Sequence, residues 1–117
     1  MTNITAKELT QAIGKAASDK KAENIVIMDM AGVMLATDYF VICSANTATQ
    51  VRAIADNIED ELNEQGIVFN HKEGYREGEW VLMDYGAVVA HIFRTEAREY
   101  YALERLWSDA KFSKYED

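Results

Sequence analysis

The stretch EWVLMDYGAVVAHIF, Glu79 to Phe93, is two apolar runs folded about Tyr85-Gly86. β-branched runs meeting at a glycine read as a hairpin. Side chains alternate across a strand. One face then carries Val81, Met83, Val88, Ala90 and Ile92, with no polar group. The other carries Trp80, Leu82, Asp84, Ala87, Val89, His91 and Phe93. A two-residue loop at Tyr85 and Gly86 pairs Asp84 with Ala87, Leu82 with Val89 and Trp80 with His91. A wider loop changes those partners but leaves the two faces as they are. An antiparallel sheet needs only one buried face. Two apolar faces therefore call for helices on both sides, or for a partner on one.

Outward from the hairpin, helix signals frame the chain. Thr5 and Glu8 have capping-box spacing, and Ile4 and Leu9 fall at the hydrophobic-staple positions. Leu9, Ala12, Ile13, Ala16 and Ala17 form one apolar stripe. NIVIMDM and TDYFVIC read as strands, with AGVMLA as a loop or wide hairpin between them. Thr47 and Gln50 repeat the capping spacing. Val51, Ile54, Ala55, Ile58 and Leu62 follow on one helix face, and Gly66 closes it. GIVF (66–69) reads as a short strand and NHKEGYREG as a loop. TEAREYYALERLW reads as a last helix, with Tyr100, Leu103, Leu106 and Trp107 at helical spacing. The expected order is α-β-β-α-β-β-β-α. That is one α/β (α+β) domain over residues 1–117, a mixed β-sheet of about five strands with packed helices, and a tail frayed from about residue 111.

With 117 residues the chain is long enough for one core without disulfide or metal. Its only cysteine, Cys43, lies in an apolar run and reads as a buried thiol in a reducing compartment. No secretory signal and no membrane-spanning run is seen, so the expectation is a soluble, cytoplasmic protein. The net charge is −8. Phosphate backbones are bound through Lys and Arg, so direct nucleic-acid binding over a broad surface is disfavoured, as is an anionic membrane. A basic protein partner is favoured. The plainer reading is that the acids only confer solubility.

The chemistry-bearing residues are few. Asp84 and His91 invite an acid–base reading, but at roughly 3.3 Å per residue they lie beyond hydrogen-bond reach. His71, His91 and Cys43 are scattered singles, without the clustering that a metal site needs. Asp29, Asp38 and Asp84 stand near strand ends, where acids also simply meet water. CSANTATQ is a strand–turn–helix element able to hold an anion, but its turn has no glycine and no nearby lysine. Trp80 offers a large apolar face with an N–H at its edge, a type enriched at binding hot spots. Asp84 at the hairpin end can accept charge-assisted hydrogen bonds from Arg or Lys.

Through TDYFVICSANTATQVRAIADNIEDEL, WVLMDYGAVVAHIF and REYYALERLW, the chain resembles the ribosomal silencing factor family (RsfS, or Iojap-type), over about Ile4 to Ala110. The resemblance implies a nucleotidyltransferase-like topology without the active site, no enzyme activity and no cofactor. It implies binding to the large ribosomal subunit at ribosomal protein L-fourteen, which blocks joining of the small subunit, and a homodimer. The family's interface tryptophan falls on Trp80, with Leu82, Met83, Asp84 and Tyr85 in the matching segment; Glu73 and His91 also match its pattern. Ala45 departs from it, standing where the family usually has glycine. Two other readings stand beside this one: a nucleotidyltransferase-like, metal-dependent enzyme, and a plain dimerisation module with Trp80 buried between protomers.

Overall fold

A computed structural model describes residues 4–116. Its elements are α1 (Ala6–Asp19), β1 (Glu23–Asp29), β2 (Tyr39–Ala45), α2 (Ala48–Glu64), β3 (His71–Glu73), β4 (Trp80–Asp84), β5 (Val88–Arg94), α3 (Thr95–Tyr101), α4 (Leu103–Leu106) and β6 (Lys111–Lys114). Among the described residues six strands form one mixed sheet, in the order β3-β4-β5-β2-β1-β6. The β2–β5 pair is parallel and the other pairs are antiparallel. α2 belongs to the crossover between β2 and the β3-β4-β5 meander.

Local chemistry sets the helix ends. Thr5 and Glu8 close a full capping box, each side chain meeting the other's backbone N–H at 3.0 Å. Thr47 caps α2 by accepting from the Gln50 N–H at 3.1 Å. The Gln50 side chain instead donates to the Lys20 carbonyl, tying α2 to the end of α1. At the other end the N–H groups of Gly66 and Ile67 return to the carbonyls of Asn63 and Leu62, a Schellman motif with Gly66 at φ +77. That motif explains why residues 66–69 are not a strand. Ile67 and Phe69 pack on the core as the helix exit, and the ladder starts later, in β3.

α1 and α2 cover one sheet face. Ile13, Ile54, Ile58 and Leu62 meet Val41, Val81, Met83, Val88 and Ile92 there, all essentially inaccessible. The other face has a smaller core of Met28, Met30, Phe40, Ile42 and Phe93, closed by Ala97, Leu103 and Ala110. It leaves the β3–β4 side of that face less covered.

Three further expectations are corrected. The hairpin loop is Gly86-Ala87, so Trp80 pairs with Phe93, Leu82 with His91 and Asp84 with Val89. The two face sets are unchanged. The last helix is broken at Ala102, whose backbone is left-handed (φ 47, ψ 50). Burial of Leu103 and a bidentate Arg98–Glu104 pair hold that break. The tail is not frayed from residue 111. β6 pairs with Val26–Asp29 of β1, and its four side chains are all exposed, so no apolar alternation announced it.

Candidate protein-docking surface

Trp80 opens β4 on the sheet face that α3 and α4 only partly cover. Its indole is half-buried. One ring face stacks on Phe93 with centroids 4.9 Å apart, and Tyr101 of α3 packs against it at 4.8 Å. The indole N–H donates to Nδ1 of His91 at 3.0 Å. An Nδ1 that accepts leaves the proton of the neutral imidazole on Nε2. His91 is 4% exposed, and burial pushes its pKa down to about 4. Its Nε2 is buried with no hydrogen-bond partner among the described residues. His91 is thus a neutral support beneath Trp80 and does not itself face solvent.

Leu82 lies between Trp80 and Asp84 on the same face, half-buried, with Glu73 of β3 opposite it. Glu73 is exposed and its carboxylate meets the imidazole of His71 at 2.6 Å. Asp84 accepts the Gly86 N–H through Oδ1 at 2.7 Å, which fixes the turn. The outward set is therefore Trp80 and Leu82, flanked by Asp84 and Glu73.

Two residues of the matching segment lie elsewhere. Met83 is fully buried on the opposite face against α1 and α2. Tyr85 shares that side, with its ring edge-on to Phe69 at 6.3 Å. Burial raises its phenol pKa, and its hydroxyl has no partner among the described residues. Strand parity alone separates these two from their neighbours. Asp84 and His91, on one face, share no hydrogen bond; each is engaged with another group. Among the described residues, no group of three or more His, Cys, Asp or Glu is placed to hold a metal ion.

Sequence reasoning missed the contribution of α3. Tyr100, at helical spacing with Leu103, Leu106 and Trp107 in the sequence, is 82% exposed; Tyr101 is 49% exposed. The break at Ala102 ends that helical spacing. The only available signal was the aromatic pair itself, REYYAL. Where β5 passes into α3, Arg94 lies between Glu79 at 2.9 Å and Glu96 at 3.6 Å. Beyond α3, toward β1 and β6, is an open cleft of about 920 Å³ lined in part by Asn24, Ser44, Arg98 and Lys114. The Arg98 guanidinium there is already engaged by Glu104 and by the Ser44 hydroxyl.

A family described as "Ribosomal silencing factor during starvation" matches residues 3–117. The chain is 46% identical over 107 residues to ribosomal silencing factor RsfS of Bacillus subtilis, covering 92% of this chain and 91% of that one. It is 30% identical over 99 residues to the chloroplastic protein Iojap of Zea mays, covering 85% of this chain and 43% of that one. A crystal structure from Chromobacterium violaceum superposes with a TM-score of 0.87 at 30% identity, covering 90% of this chain and 88% of its own. One from Bacillus halodurans gives 0.79 at 46%, covering 86% and 94%.

Proposed function

We propose, from the premise that this chain belongs to the ribosomal silencing factor family, that it is a non-enzymatic repressor of translation acting by occlusion. It binds the large ribosomal subunit at ribosomal protein L-fourteen, and its bulk there keeps the small subunit from joining. Its place of action is the cytoplasm, and its free form is a homodimer.

The observation that carries this reading is the half-buried indole of Trp80 beside Leu82, on the less covered sheet face, with Asp84 and Glu73 at the rim. An aromatic anchor in an apolar patch with a charged border is the anatomy of a protein interface. Charge chooses the kind of partner. A chain of net charge −8 is repelled by rRNA phosphates and attracted to basic protein.

The test is sedimentation of isolated large subunits with wild type and Trp80→Ala. Truncating a hot-spot aromatic removes about 2 kcal/mol or more, roughly thirtyfold in affinity. Loss of co-sedimentation by a variant that still unfolds cooperatively is expected. Undiminished binding by Trp80→Ala overturns the assignment of the surface. Sedimentation of the free protein alone reads its oligomeric state.

A further inference from the structure

Resting on the reading above, we propose that Tyr100 and Glu96, on α3 beside Trp80, extend the docking surface and take an arginine side chain of the basic partner protein. A run of rings leads from core to solvent. His91 meets Phe40 edge-on at 4.5 Å, Trp80 lies 5.8 Å from His91, Tyr101 4.8 Å from Trp80, and Tyr100 meets Tyr101 edge-on at 5.1 Å. Exposure rises along it, from 4% at His91 to 49% at Tyr101 and 82% at Tyr100.

The backbone is what holds the two tyrosines outward. α3 stops directly after Tyr101 because Ala102 is left-handed. That conformation costs a residue with a Cβ about 1–2 kcal/mol. It is retained because Leu103 is buried and Arg98 is forked onto Glu104. Backbone strain of this kind collects at functional positions.

Charge identifies the occupant. Glu79 and Glu96 share the single guanidinium of Arg94, so one negative charge is left over. The Glu96 side chain is 78% exposed. Glu96 and Tyr100 are four apart on α3 and so are neighbours on its surface. A ring face beside an exposed carboxylate that Arg94 engages only at 3.6 Å matches a guanidinium, which stacks on the one and forks onto the other. A lysine supplies only the point charge, and a phosphate is repelled by the same acids. The site is continuous with Trp80 through Tyr101, so one footprint covers both.

The experiment is sedimentation of isolated large ribosomal subunits with wild type, Trp80→Ala, Tyr100→Phe, Tyr100→Leu and Glu96→Gln. Both α3 positions are exposed, and thermal melts check that the variants fold. Tyr100→Leu and Glu96→Gln are expected to weaken binding roughly tenfold, with Tyr100→Phe close to wild type. If Tyr100→Leu binds like wild type while Trp80→Ala does not, this inference falls and the function proposed above stands. Equal losses in Tyr100→Phe and Tyr100→Leu overturn the stacking, because the phenyl ring keeps its π face. If Trp80→Ala itself binds like wild type, both fall.

Discussion

The indole N–H of Trp80 is held by Nδ1 of His91 at 3.0 Å, across the β4–β5 pair and next to the register partner, Leu82. The bond does two things. It satisfies the part-buried indole N–H, and it fixes the angle at which the indole meets solvent. It also requires a neutral imidazole, because a protonated one donates at both nitrogens.

A pH dependence of stability follows. His91 has a folded pKa of about 4 against an ordinary value of 6.5, lowered by burial. Below pH 6.5 the unfolded chain takes up a proton that the folded chain refuses until about pH 4. The contribution of neutral His91 is whole above pH 6.5, is lost as pH falls through that window, and declines no further below it. The span amounts to about 3 kcal/mol. Urea unfolding across the window should show the decline in wild type and a flatter profile in His91→Gln, which keeps an acceptor for Trp80 without titrating there. Identical profiles would remove His91 as the cause.

Adjacent positions on β4 should separate binding from stability. Met83 is fully buried under α2, so Met83→Ala is expected to lower stability by about 2–5 kcal/mol. Its large-subunit binding should match wild type wherever it is folded. Leu82 is only half-buried, so Leu82→Ala should lose about 1 kcal/mol of stability. Its binding should nevertheless fall. Denaturant midpoints and subunit sedimentation on the same two variants decide the matter; the reverse pattern would place the docking face on the wrong side of the sheet.

How far the sequence could be read depended on how local each determinant is. The Thr5–Glu8 box, the staple and the Gly66 stop are encoded within a few residues, and all were legible. The two faces of the hairpin were legible because strand parity does not depend on register. The register itself was misread. Gly86, at φ +87, occupies the first loop position, as in a type II′ turn, whereas the reading had put it second. The break at Ala102 left no mark because alanine is a good helix former; burial of Leu103 and the Arg98–Glu104 pair override it. β6 left none either, since an edge strand with four exposed side chains carries no alternation. For the candidate site, Trp80, Leu82, Asp84 and Glu73 could be placed from pattern and resemblance, but Tyr101 reaches Trp80 only through the tertiary fold.

Two glycines near the site should respond differently to a methyl group. Gly74 has φ +79, and a Cβ there would stand 1.9 Å from the carbonyl oxygen of Trp80. No flexible side chain can yield, so β3 or the start of β4 must move. Gly86 has φ +87, but its nearest neighbour would be Asn70 Nδ2 at 3.5 Å, an ordinary contact. Gly86→Ala should therefore lose about 1–2 kcal/mol from backbone strain alone. Gly74→Ala should lose clearly more and perturb the fluorescence of Trp80. Equal losses in chemical denaturation would mean that φ, not the clash, governs both.

The packing of the tail on α1 can be tested through a change of sign. Gly14 sits inside α1, where glycine is about 0.5–1 kcal/mol worse than alanine. A Cβ at that position would stand 2.5 Å from Cδ1 of the Tyr115 ring, which follows β6. Glycine is kept because the ring lies flush on the helix there. With Tyr115 present, Gly14→Ala must push the ring away and strip cover from the α1 side of the core, so it should destabilise. With Tyr115→Ala the space is free, and the same substitution should stabilise by about the propensity difference. A double-mutant cycle on denaturant midpoints measures the coupling. Additive effects would show that the tail does not pack on α1, and would withdraw the account of β6 as an ordered edge of the sheet.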